Sequence, residues 1–429
     1  MTTTPSRSRS AWPGLDTVPS GRRADLAAPI ARRIFHAAVR RLPVTVREGG
    51  TVVGGGGPVL VVRRPEEFYR RLGSDGLIGF GEAYLTGAWD AEDLGGFLTV
   101  LAAEMPRLVP GWMQRLRKVY VHRPPSMHRN TTSNTRDNIA HHYDLSNDLF
   151  RLFLDETLSY SSALFDTSLT RVVADGRRHL VAAPPEAADE PLADAQARKI
   201  ERLLDQTGVG EGTRVLEVGT GWGELAIRAA RRGATVHSVT LSSEQLGLAE
   251  ARVAEAGLSD RVEIALCDYR KVQGQYDAIV SVEMIEAVGH EYWSTYFRTL
   301  ERLLAPGGKI GVQAITMPHD RMLATRQTYT WINKYIFPGG FLPSVQAIDE
   351  IVTADTALRI SERLSFGTHY AETLQRWDET FRAEHEAVGA LGFDPTFERM
   401  WHFYLEYSRA GFASGYLDVQ QLIFERTSA

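Results

Sequence analysis

Three glycines at alternate positions, Gly219, Gly221 and Gly223, follow the apolar run Val215–Val218 and open a helical pattern that runs to about Arg231, starting at Trp222. Glycine has no Cβ, so the backbone can turn sharply there and a ligand can lie against it. The helix start behind the loop offers free N–H groups to a polar ligand. Glu217, at the strand end, can order the loop or accept from a ligand amine. Such a loop serves nicotinamide, flavin and S-adenosylmethionine (SAM) binders alike, and a tight turn without any ligand reads the same way.

Other polar residues fall where neighbouring strands end. A nicotinamide binder usually places an acid after its second strand, to hold the ribose hydroxyls. Here that position reads Thr240-Leu241-Ser242-Ser243-Glu244-Gln245, so hydroxyls and an amide serve instead. After the third strand, Asp268 can accept from an adenine amine and Tyr269 can pack on its ring; each also reads as a cap or turn residue. After the fourth, Glu286 sits among apolar residues, where a carboxylate is costly unless used or paired. Tyr160, Phe165, Trp331, Tyr335, Phe337, Phe341, Tyr370, Tyr404, Tyr407 and Phe412 can line an apolar channel and face a cation, or simply form core.

The elements that must position these groups follow from pattern. The 429 residues suffice for two domains, and 43% hydrophobic with 24% charged residues is an ordinary globular composition. The single cysteine, Cys267, excludes a disulfide framework and a multi-cysteine metal site. No apolar run reaches membrane-spanning length. Residues 1–20 read as a disordered tail and 21–104 as a small α+β module, with a helix over 23–41 carrying Leu26, Ile30, Ile34, Ala37 and Val39. Strands are expected around Val44–Val46 and Val59–Val62, and a helix from Glu66 to Leu72. Residues 105–136 read as a basic amphipathic linker with seven Arg or Lys and no acid, suited to a lipid–water interface. Residues 1–136 carry 20 basic and 11 acidic side chains, a net of +9, against −14 for the rest. A basic front on an acidic body implies an anionic partner, and the lack of an RNA-binding motif turns that toward a membrane rather than nucleic acid. Residues 171–192 read as a surface loop, and Asp194 as the cap of a helix to Thr207. Beyond it, strands and helices alternate as a parallel α/β sheet requires: strands at Val236–Leu241, Val262–Leu266, Ala278–Val282 and Lys309–Ile315, helices at Glu244–Ala256 and Tyr292–Leu304. An aromatic helix and strand close the chain over 395–425.

Together these pieces resemble the cyclopropane-fatty-acid synthases and their mycolic-acid relatives. The resemblance is carried by Ala140-His141-His142-Tyr143-Asp144-Leu145-Ser146-Asn147-Asp148, Tyr160-Ser161-Ser162-Ala163, Leu216–Gly223, Thr240–Gln245 and Trp331–Gly340. It covers 137–429 well and the front module more loosely. It implies a Rossmann-like SAM-dependent methyltransferase domain over 137–429 and a smaller lipid-engaging domain before it. It also implies that Tyr160, Ser161, Gly219, Gly221, Thr240, Gln245, Asp268 and Tyr269 contact SAM. The family holds a bicarbonate ion, thought to act as base, and the positions matching its ligands are Ser162, Glu286, Gln313, the backbone of Ile315, and Tyr370. This sequence departs there: Ser162 replaces the usual Cys, Gln313 the usual His, and Glu286-Ala287 the usual Glu-His.

The expected reaction is methyl transfer from SAM to the cis double bond of an oleoyl-type phospholipid chain, through a carbocation. The altered base site favours a methylene-branched product, as in relatives that begin tuberculostearic-type acids, with a separate reductase to saturate the branch. An ordinary cyclopropane synthase, a small-molecule N-methyltransferase and a non-catalytic lipid-binding protein are the alternatives. A homodimer is expected, cytoplasmic and peripheral on the inner face of an anionic membrane.

Overall fold

The computed structural model describes residues 12, 14–108, 146–174, 177–186 and 189–427. Residues 1–11 of the expected tail, 109–136 of the basic linker and the expected His141-His142 motif lie outside the described residues. Residues 14–17 of that tail are tied down: buried Arg71 donates to the carbonyls of Gly14, Leu15 and Thr17. The chain forms two compact units, residues 1–122 with 393–410, and residues 123–392 with 411–429.

The first unit holds a four-stranded sheet, β1 (Thr45–Glu48), β2 (Thr51–Gly54), β3 (Val59–Val62) and β4 (Trp89–Ala91), in the order β2-β1-β3-β4. β2 is an addition to the sequence reading. The helix expected to stop at Leu72 resumes after a break at Gly76 (φ 56°, ψ −127°) and runs to Leu85. The chain doubles back closely there, because a Cβ on Gly79 would stand 1.9 Å from the Arg71 carbonyl oxygen. Phe68, Phe80, Tyr84, Trp89 and Phe97 fill the core. The helix Arg22–Val39 buries Ala24 and Val39 but turns Leu26, Ile30 and Ile34 outward, at 70%, 60% and 37% exposure. These three repeat every four residues and so share one face.

The second unit is built on a nine-stranded sheet: β5 (Leu169–Ala174), β6 (Arg177–Ala182), β7 (Arg214–Val218), β8 (Thr235–Thr240), β9 (Val262–Leu266), β10 (Tyr276–Val282), β11 (Leu304–Thr316), β12 (Leu358–Ser365) and β13 (Asp418–Arg426). Their order is β5-β6-β12-β13-β11-β10-β7-β8-β9. β7, β8, β9, β10 and β11 run parallel, and β13 lies antiparallel between β11 and β12. β7 is buried along Val215–Val218, as a central strand covered by helices on both faces must be. The carboxyl ends of the parallel strands share one rim, where an open α/β sheet forms its ligand crevice.

Three local expectations are corrected. The stretch 171–192 is not all loop: β5 and β6 form an antiparallel hairpin, registered from Leu169↔Ala182 to Ala174↔Arg177. β6 docks on β12, so its apolar Leu180 and Val181 extend the sheet, while the Pro- and Ala-rich residues after 182 had set the average composition. The helix over Leu192–Thr207 is capped at Pro191, and Asp194 lies in its first turn, where a carboxylate still meets the positive helix end. The helix after the glycine loop begins at Glu224, leaving Trp222 in the loop.

Candidate functional site

The described candidate residues for SAM and for the acid–base chemistry all belong to the second unit. The loop after β7 is left-handed at Gly219, Gly221 and Gly223, with φ of 99°, 53° and 90°. A Cβ on Gly219 would stand 2.5 Å from Met284 Cγ. One on Gly221 would meet nothing within 4 Å, so that glycine presents bare backbone to open space. Glu217 lies beneath, fully buried. Ser238 Oγ donates to its Oε2 at 2.5 Å and shares a 2.7 Å hydrogen bond with Thr220 of the loop. Of its two possible roles, ordering the loop is the one these bonds perform.

Burial pushes the Glu217 carboxyl up to about 8, against an ordinary 4.5. A raised acid stabilises the fold fully below its unfolded value, and that contribution is lost as pH climbs to the folded value. Between pH 4.5 and 8 the loss reaches at most about 5 kcal/mol. Glu217→Gln should therefore shrink the fall in melting temperature between pH 5 and 8 by several degrees. Equal falls in parent and variant, followed by thermal unfolding, would refute the assignment.

At the end of β8, Thr240 Oγ1 donates to Gln245 Oε1 at 3.0 Å, and Ser242 caps the helix Ser243–Glu255 by accepting from Gln245 N–H. This fixes the Gln245 carbonyl end and leaves its amide nitrogen as the donor. After β9, both Asp268 oxygens accept from Arg270. Burial works to raise Asp268, but those bonds outweigh it and hold the carboxylate below its usual range. Tyr269 sinks its ring into the core, edge-on to Tyr296 at 5.5 Å.

The aromatic candidates divide into separate groups. Tyr160 packs between Phe150 (5.1 Å) and Trp377 (5.2 Å), with Trp377 in turn 6.0 Å from Tyr370, and Tyr370 4.7 Å from Phe412. Phe150 reaches Trp222 of the glycine loop at 4.9 Å. One continuous row of rings thus links that loop to Tyr370. Phe165 stacks on His369, Phe341 on Trp293, and Trp331 pairs with Tyr335. Tyr404 and Tyr407 belong to the first unit.

A polar cluster is buried beside Tyr370, and a residue that sequence reasoning missed stands at its centre. Glu283 follows β10 with a left-handed backbone, φ 50°. Its Oε1 accepts from Ser162 N–H and from Gln313 Nε2, both at 2.9 Å, and its Oε2 from Tyr370 OH at 2.9 Å. Arg202 fixes the orientation of the amides. As a pure donor it bonds Gln421 Oε1 (2.7 Å), so Gln421 Nε2 gives to Gln313 Oε1 (3.1 Å), and Gln313 Nε2 gives to Glu283. Glu283 Oε1 is then an acceptor. Lys199 is buried nearby, donating to Ser161 Oγ and to the Ser162 carbonyl. Burial lowers Lys199 to about 8, against the pull of Glu283.

Glu286 is half-buried, with its Oε2 shut away from solvent. Its Oε1 accepts from Ile315 N–H, and its Oε2 has no partner among the described residues. Burial, and then the neighbouring charge of Glu283, push it up to about 8. Burial raises Glu283 as well, and buried Lys199 and the donors Gln313, Ser162 and Tyr370 pull it back toward its charged form. Ser162, Gln313, Ile315 and Tyr370 do converge, as the resemblance implied, but around these two carboxylates. Lys199 was not singled out in the sequence, and Gln421 lies 108 residues from its partner Gln313.

Residues 130–422 match the sequence profile of a family described as mycolic acid cyclopropane synthetase. The chain is 52% identical to the tuberculostearic acid methyltransferase of Mycobacterium tuberculosis over 414 residues, 96% of this chain and 94% of that one. It is 31% identical to the cyclopropane-fatty-acyl-phospholipid synthase of Escherichia coli K12, over 88% of this chain and 90% of that one. Among solved structures, a mycolic acid cyclopropane synthase complexed with SAH (S-adenosylhomocysteine) and CTAB superposes with a TM-score of 0.58. It is 30% identical, over 71% of this chain and 99% of that one.

Proposed function

The chain belongs to the mycolic acid cyclopropane synthetase family, and from that premise we propose that it methylates the cis double bond of a phospholipid acyl chain, leaving a methylene branch. It is a SAM-dependent methyltransferase of Rossmann-like fold. The observation that carries the reading is the row of rings from the glycine loop to Tyr370, ending on a buried pair of carboxylates. The loop glycines, Thr240 and Gln245 fit SAM: bare backbone faces open space at Gly221, and a hydroxyl–amide pair stands where ribose hydroxyls would need partners. When bound, SAM supplies an electrophilic methyl group on a sulfonium.

The alkene's π electrons form the new C–C bond, and a cation is left on the acyl chain. The packed rings of Tyr160, Trp377, Tyr370 and Phe412 supply the kind of aromatic surface that stabilises a cation and keeps water away. A hydride shift and proton loss from the methyl carbon give the methylene branch; direct proton loss with ring closure gives a cyclopropane. The similarity to a tuberculostearic acid methyltransferase supports the branch, which a separate reductase would then saturate. The two products are isomers, so mass alone does not separate them. Expression in a host with oleoyl phospholipids, then ozonolysis of the lipids, does: the methylene chain gives a ketone and the cyclopropane does not react. A cyclopropane as the main product would overturn the choice.

The enzyme meets its substrate as a peripheral protein on the inner face of an anionic membrane. No helix among the described residues is long and apolar enough to cross a bilayer. The outward Leu26, Ile30 and Ile34 support surface docking. Arg22, Arg23 and Arg33 are exposed on the same face by helical spacing, without an ion pair among the described residues. Apolar side chains that enter the acyl boundary and arginines at headgroup level suit such a surface. Replacing Leu26 and Ile30 by Ser should weaken binding to anionic vesicles about tenfold or more, from the lost apolar burial. Added salt should weaken the parent. Co-sedimentation unchanged in both respects would remove this face from the docking surface.

A further inference from the structure

The resemblance supplied a free bicarbonate ion, and its place can be tested against the residues present. Ser162 N–H, Gln313 Nε2 and Tyr370 OH all donate to Glu283, and Ile315 N–H donates to Glu286. The Ser162 hydroxyl donates to the Ala163 carbonyl. The donors of Ser162, Gln313, Ile315 and Tyr370 are thus spent on the chain's own carboxylates or backbone, and of the expected ligand atoms the Glu286 Oε2 is left without a partner among the described residues. A second anion there would have to displace a glutamate side chain and sit beside buried negative charge, which a low-dielectric interior strongly opposes. Bicarbonate therefore does not fit this site.

The backbone makes the same point independently. A glutamate at φ 50° is a strained conformation, costing about 1–2 kcal/mol. The Glu283 N–H is pinned to the Gln313 carbonyl at 2.8 Å, which holds the turn and sends the side chain in toward Tyr370. Strain of this kind persists where the surroundings over-determine it, and it clusters at working sites.

We infer that the Glu283 carboxylate is the general base of the reaction, standing where a free bicarbonate would, so that turnover needs no added anion. The inference rests on the methyl-transfer reading above. In the step, a proton leaves the newly attached methyl carbon for a Glu283 oxygen. The C–H electron pair becomes the second bond of the methylene group, the cation is discharged, and Glu283 becomes neutral. It returns the proton to solvent before the next cycle.

The test uses full-length protein, oleoyl phospholipid vesicles and buffers stripped of carbon dioxide. The parent should turn over at the same rate with or without millimolar bicarbonate, and should bind none by calorimetry. Glu283→Gln should lose about 10²–10⁴-fold in turnover with SAH affinity unchanged. Glu283→Gly, which relieves the backbone strain and so should fold, leaves the three donors free. It should bind bicarbonate, and bicarbonate or formate should restore part of its lost rate. Bicarbonate binding or dependence in the parent, or a Glu283→Gln rate equal to the parent's, overturns the inference. A parent that makes no product from oleoyl vesicles instead sinks the methyl-transfer reading, and calorimetry still decides whether Glu283 occupies the anion's place.

Discussion

Gly219→Val should lower the affinity for SAH about a hundredfold while the protein stays folded. A β-branched residue at φ 99° sits in a region that L side chains avoid, at a cost of about 2 kcal/mol or more. Its Cβ would also stand 2.5 Å from Met284 Cγ, near the root of that side chain rather than at its yielding tip. About 2.7 kcal/mol corresponds to a hundredfold in affinity. Titration calorimetry with SAH reads it directly, and near-ultraviolet circular dichroism checks the fold. An affinity equal to the parent's would mean that this loop does not seat the ligand.

Tyr370→Phe should lower turnover about 10- to 100-fold with SAH affinity intact. The lost hydroxyl donates to Glu283 Oε2 at 2.9 Å, and a hydrogen bond to a charged group is worth about 1.5–3 kcal/mol. The ring contacts with Phe412 and Trp377 are kept by phenylalanine, so a general loosening of the core is not expected. A second readout separates this from simple damage. Removing a donor to the carboxylate favours its protonated form, so the acid limb of the pH–rate profile should move to higher pH. A lower rate with an unmoved acid limb would assign Tyr370 to packing alone.

Much of the catalytic unit was legible because its strands are buried on both faces and read as unbroken apolar runs between helical patterns. Val262–Leu266 falls where the pattern put it, and the other parallel strands shift only at their ends. β5 and β6 were hidden because their short mixed runs of apolar and basic residues were averaged with the Pro- and Ala-rich residues that follow. Glu283 escaped for a different reason. A glutamate just past a strand reads as a helix-start acid, and nothing in residue order reveals a left-handed φ that turns it inward. Glu286, three residues on, stands out in the sequence instead because its neighbours are apolar. Lys199 and Gln421 show the same limit, since which lysine of an amphipathic helix is buried depends on how that helix lies on the sheet. The row Tyr160, Trp377, Tyr370, Phe412 was half legible: three of its rings were named, and the fourth, Trp377, joins them through the helix Gly367–Ala383.

β13 has a consequence for how the molecule is made. Its register pairs Gln421 with Gln313 on β11 and with Leu364 on β12, and the same side chain steers the Gln313 amide. During synthesis β11 and β12 therefore emerge with a gap between them that only residues 418–426 can fill. A ribosome-bound chain that has released every other strand still carries two open edges and an unoriented amide. Pulse-labelled intermediates halted before residue 418 should accordingly recruit chaperones, and gain protease resistance only once that last ribbon slides in.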